Sequence, residues 1–116
     1  MSTAQQKFDQ LLVEAIDEVL GSLGEPVKNH VYIHLENDFS ITKNELPQKI
    51  EEFSHFLLRI FGSSAYHLEI KFMKTLYAKI SADQHFKNQS IAFKEIDLTF
   101  SAYVNAMRES FEISRY

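Results

Sequence analysis

The stretch from Ser63 to Ile80 constrains the fold more than any other. Wound as a helix at about 100° per residue, it spreads Ala65, Tyr66, Leu68, Ile70, Phe72, Met73, Leu76, Tyr77 and Ile80 over more than half of its circumference. His67, Lys71, Lys74, Thr75 and Lys79 fill the remainder. An apolar arc this wide has to be enclosed by other elements, so the segment is expected at the centre of the fold. One residue breaks the pattern: Glu69 falls inside the arc, between Leu76 and Ile80.

Composition points to helices as well. The 116 residues include only three Gly and two Pro, whereas an all-β fold needs many turns. Ten Phe and five Tyr supply a ring-rich core. A hydrophobic content of 45% and a charged content of 24% describe one soluble globular domain able to bury its own core. The net charge of −4 gives no general attraction for nucleic acid or anionic lipid. Without cysteine there is no disulfide, thiol nucleophile or thiolate metal site. The polar start from Met1 to Gln10 does not read as a signal peptide. No apolar run approaches the ~20 residues of a membrane span. The expectation is a cytoplasmic protein with no membrane contact.

In chain order, Ser2 or Thr3 caps a first helix running to about Ser22. Phe8, Leu11, Leu12, Ala15, Ile16, Val19, Leu20 and Leu23 form its broad apolar face, and Gly24 ends it. Pro26 suits the first turn of a second helix, whose stripe is Val27, Val31 and Leu35 with Tyr32 beside it. That helix finishes near Asn37 or Asp38, and Phe39 and Ile41 tuck a loop onto the body. Asn44 or Glu45 opens a third helix with Pro47 in its first turn. Its inward face is Leu46, Ile50, Phe53, Leu57, Ile60 and Phe61, with Phe56 at the edge and Gly62 as the stop. The fourth helix is the one at the centre.

Ser81 to Ser90 is polar and aperiodic, a connecting segment. A fifth helix follows, from about Ile91 to Ile113. Phe93, Ile96, Phe100, Tyr103, Met107 and Phe111 step by three or four along a narrow stripe, as in a short coiled coil. Ala92, Ala102 and Ala106 make a small-residue ridge beside it. The fold class is therefore all-α with five helices. Residues 1–80 make a four-helix core; residues 81–116 supply the connection and a last helix that packs on this core or on a partner subunit. A protein-sized apolar patch on the fifth helix and the commonness of symmetric dimers favour a homodimer, with those six stripe residues as interface candidates.

The pieces AIDEVLGSLGEPVK, YIHLENDF, ELPQKIEEFSHFLLRIFG and LEIKFMKTLYAKI resemble an archaeal helical domain, the Nitrosopumilus output domain. That domain occurs alone or fused to signalling modules. The resemblance implies a small helical module in archaeal signalling or regulation, with a signalling protein as partner. It brings no catalytic residues with it, and it stops before the last helix.

Two constellations remain. His30 and His34 sit four apart on one helical face, a spacing that can chelate zinc. The residues between them are Val-Tyr-Ile, so no HExxH motif exists and no third ligand is indicated. The expectation is two surface or boundary histidines and no metal. Glu69 is more informative. Among Leu76, Ile80 and Met73 a carboxylate has to be protonated, hydrogen-bonded or open to water. Its candidate partners are the Tyr hydroxyls, His34, Arg59, Lys74 and N–H groups at a helix start. It is either a core carboxylate that fixes helix register or a ligand- or proton-sensing group in an interhelical pocket; a solvent-edge position is the third alternative. Glu51, Glu52, His55 and Arg59 read as a solvated helix face. If the second and third helices formed a helix-turn-helix, Glu51 and Glu52 on the recognition helix would repel phosphate. The Ser residues lack a GxSxG elbow, and no Gly-rich phosphate loop occurs.

The expected function is a non-enzymatic interaction or signalling-output module without cofactor. The ranked alternatives are a ligand-sensing or enzymatic domain with Glu69 in a pocket, lined by Glu69 and a histidine, and then a DNA-binding regulator.

Overall fold

The computed structural model describes residues 3–82 and 99–114. Thr3 starts the first helix, α1 (Ala4–Ser22), with a reciprocal cap. Its hydroxyl accepts the Gln6 N–H at 3.0 Å, and the Gln6 side chain accepts the Thr3 N–H at 2.9 Å. Gly24, at φ 112° and ψ 143°, is the pivot into α2 (Glu25–Phe39), with Pro26 in the first turn. Ser40 takes the left-handed conformation, φ 56°, that closes α2.

The expected third helix is divided in two. Residues Lys43–Gln48 form a 3-10 helix, Lys49 leaves helical geometry, and α3 spans Ile50–Phe61. Pro47 is the cause: it has no N–H to donate and disfavours α geometry at the residue before it. Gly62, at φ 60° and ψ −140°, then turns the chain sharply into α4 (Ser64–Ala82). The last helix, α5, spans Phe100–Ser114. The expected start at Ile91 is corrected, because Thr99 lies outside the helix and its Oγ1 accepts the Ala102 N–H at 3.0 Å. That is an N-cap.

The fold is all-α, with no strand among the described residues. The most extensive contact joins α1 and α4. Around this pair, α2 and the 3-10 helix cover α1, α3 covers α4, and α5 lies against α1, α3 and α4. The expected central helix is thus one half of a central pair. Its inward residues are Ala65, Leu68, Glu69, Phe72, Met73, Leu76 and Ile80. Tyr66, expected in the apolar arc, instead stands 59% exposed. Leu23, Val27 and Ile60 also reach solvent, because each lies at the border of its stripe near a helix end.

Rings run through the interior in a chain. Phe39 meets Phe56 edge-on at 5.4 Å, and Phe53 lies 6.0 Å from Phe72. Phe72 in turn lies 5.5 Å from Phe100, and Phe8 lies 5.9 Å from Phe111. Phe100, Tyr103, Val104, Met107 and Phe111 of α5 are all fully enclosed. Arg108 locks the same helix at its border: its guanidinium reaches Asp9 and the Pro47 carbonyl, each at 3.0 Å, and lies over the Phe8 ring. No helix among the described residues is long and apolar enough to cross a membrane.

Candidate functional site

The turn at Gly62 folds α3 and α4 into an antiparallel pair. Positions 51, 54, 55 and 58 of α3 recur at three and four, so they share one face. Ala65 and Glu69 of α4 share another. The start of α5 closes one end with Thr99 and Ser101. Together with Tyr66, these residues line a cleft of about 250 Å³. Two other hollows, one beside Asp9 and Pro47 and one beside Lys71 and Lys74, are more open and hold no buried polar side chain.

Glu69 is 8% exposed, yet it lines this cleft. The position combines a core setting with a wall of the cleft. The Ser54 hydroxyl donates a hydrogen bond to Glu69 Oε2. Oε1 has no hydrogen-bond partner among the described residues. Burial pushes the Glu69 carboxyl above its ordinary value of 4.5, and the Ser54 hydrogen bond opposes that shift without cancelling it.

Ser54 was not among the expected partners of Glu69. A signal for it does exist in the sequence: Ser54 stands four residues after Ile50 and three before Leu57, so it shares their inward face. His55 and Glu51 are exposed, as expected of a solvated face, and also border the cleft. Two apolar side chains are exposed on its rim, Leu58 at 43% and Tyr66.

His30 and His34 are elsewhere. Their rings stack on α2 at 4.2 Å, and His34 Nδ1 lies 3.7 Å from Asp38. His34 therefore does not serve Glu69. Among the described residues no group of three His, Asp or Glu is placed to hold a metal ion.

Of the six stripe residues expected at a dimer interface, Phe93 and Ile96 lie outside the described residues. Phe100, Tyr103, Met107 and Phe111 are inside the chain's own core. These four pack against α1, α3 and α4, so α5 lies on the core of its own chain. The reason is the complementary ring surface of Phe8 and Phe72, which the stripe pattern of α5 alone does not reveal. Comparison with family models, with curated proteins and with solved structures finds no match to this chain.

Proposed function

We propose that this chain is a non-enzymatic, ligand-responsive module whose sensing site is the cleft between α3, α4 and the start of α5. A cytoplasmic setting in signalling or regulation, as for the archaeal Nitrosopumilus output domain that the sequence resembles, is part of the proposal. The observation that carries it is Glu69: a carboxyl enclosed by the core, held through one oxygen by Ser54, with the other oxygen turned to a cleft. Oε1 is not among the buried atoms left without a partner, so it is open to the cleft rather than sealed in the core. The exposed Leu58 and Tyr66 at the rim add apolar contact area for an occupant.

The cleft is built for binding rather than turnover. Ser54 lies past the first turn of α3, so its own backbone N–H is engaged in the helix. Its hydroxyl donates to Glu69, and among the described residues no Lys or Arg lines the cleft to stabilise developing negative charge. A module of this kind transmits occupancy through the element that closes the site. Here that element is α5, whose Thr99 cap and Ser101 border the cleft and whose other end is bolted to α1 by Arg108 and Asp9.

The test is a fragment screen on the intact chain, read by amide chemical shifts. Fragments that bind should shift Ser54, His55, Tyr66, Glu69 and Thr99 together and raise the unfolding temperature, since a ligand of the folded state at 100 times its Kd adds about 2.7 kcal/mol. A screen in which no fragment perturbs this set, or in which hits gather on another face, rejects the reading.

A further inference from the structure

The cleft's lining is asymmetric in charge. Glu51 and Glu69 bring carboxyl groups, Ser54 and Thr99 bring hydroxyls, and neither lysine nor arginine is present among the described lining residues. We infer that the cleft takes a small organic cation, an ammonium attached to a short apolar body, with Glu69 Oε1 as its counter-ion and Tyr66 and Leu58 against its hydrocarbon. This rests on the ligand-responsive reading given above and names the class of ligand.

Three observations support it. Oε1 of Glu69 has no partner among the described residues, and a cation satisfies it with a charge-assisted hydrogen bond, the stronger kind. The mostly enclosed position strengthens that pairing relative to one in water, because less solvent screens it. The exposed Tyr66 ring at the rim can lie against an alkylammonium group, a second favourable contact for positive charge. An anion entering the same space meets the carboxyl groups of Glu51 and Glu69, with His55 the one basic side chain among the described lining residues. A neutral ligand leaves the counter-charge unused.

Protonation follows from the same geometry. Burial holds the Glu69 proton on above the ordinary carboxyl range. An entering ammonium displaces that proton, so binding releases protons to solvent and tightens as pH rises. The other ionisable side chains facing the cleft are Glu51 and His55, both from α3. Tyr66 comes from α4, while Thr99 and Ser101 at the start of α5 carry no charge.

The experiment uses the intact chain and three probes of one shape: phenethylammonium, 2-phenylethanol and 3-phenylpropionate. Each is titrated while the amide shifts of Ser54, Tyr66 and Glu69 are followed. Phenethylammonium should bind about tenfold tighter than the alcohol, a difference of about 1.4 kcal/mol, and the propionate weakest. Glu69→Gln should remove about that tenfold preference and leave alcohol binding within about twofold. Equal or tighter binding of the alcohol or the propionate in the cleft overturns the cation inference and leaves the ligand-responsive reading standing. Silence from all three probes also overturns it, and the fragment screen then decides the broader reading separately. If Glu69→Gln does not fold, Glu51→Gln on the exposed turn of α3 replaces it, with an expected two- to threefold loss for the ammonium alone; no loss there, with the wild-type preference also absent, overturns the inference.

Discussion

Two carboxylates of this chain have opposite acid–base behaviour, and each follows from what stands around it. At Glu69 burial dominates and lifts the carboxyl above 4.5, with Ser54 opposing. In strong acid the folded and unfolded chains both hold the proton, so no penalty exists. As pH rises past 4.5 the unfolded chain releases its proton first, and the fold loses stability until the raised folded value is passed. Glu69→Gln is therefore expected to match the wild type in acid and to become the more stable protein towards neutral pH, as read from urea midpoints across a pH series. A constant difference across that series would place Glu69 in solvent. At Asp17 burial also pushes upward, but hydrogen bonds from Lys43 and Tyr32 and the nearby charge of Lys28 outweigh it, so the carboxyl titrates below 3.8. Its Lys43 contact is 2.8 Å and its Tyr32 contact 3.1 Å. That stability is present above 3.8 and disappears as pH falls through the lowered folded value. Asp17→Asn should cost about 1 kcal/mol at neutral pH, with the difference from wild type vanishing in acid. Sequence alone marks Glu69, because a carboxylate inside an apolar arc is visible in one helix. It does not mark Ser54 as its partner or Asp17 as a hub, because those pairings cross between elements fifteen or more positions apart.

Among the elements, the helices whose boundaries were legible are the ones with local signals. Thr3 with Gln6 starts α1, Pro26 starts α2 and Gly62 divides α3 from α4. The break between the 3-10 helix and α3 was hidden, because the apolar spacing of Leu46, Ile50 and Phe53 continues across it while Pro47 interrupts the hydrogen bonding. The late start of α5 was hidden for a related reason, since a stripe of residues at helical spacing carries no mark of where the helix begins. Two glycines three residues apart should respond oppositely to a methyl group. Gly21 lies within α1, and a Cβ there meets only the Lys28 side chain at an ordinary 3.9 Å. Gly21→Ala should stabilise the fold by about 0.5–1 kcal/mol, the usual gain from restricting a helical glycine. Gly24 sits at φ 112°, a backbone conformation that disfavours any side chain. Gly24→Ala should cost about 1–3 kcal/mol. Urea unfolding of the two variants in parallel checks the pair, and equal signs would mean that the α1–α2 pivot relaxes without strain.

For the whole molecule, the decisive fact is the interior position of α5. Four helices with complementary apolar faces suggest a core that closes without a fifth, and the ring-rich stripe of α5 then looks available to a partner. The structure distributes the rings differently. Phe8 of α1 and Phe72 of α4 each give part of their surface to α5, through Phe111 and Phe100, so α1–α4 without α5 would expose the centre of the core. Met107 is as fully buried as either ring. Removing one such side chain typically costs about 2–5 kcal/mol, and a domain of this kind has only about 5–15 kcal/mol of stability in all. Two buried charges exceed that margin, because each carboxylate is placed in the core without a partner. Phe100→Asp combined with Met107→Asp should therefore abolish the cooperative fold, with loss of helical circular dichroism and of the thermal transition. The single variant Met107→Ala should stay folded and lose about 2–5 kcal/mol, mainly through the vacated volume. If the double variant instead sediments as a folded, helical monomer, α1–α4 form an autonomous core, and the fully enclosed rings of α5 make no contribution that the rest of the chain requires.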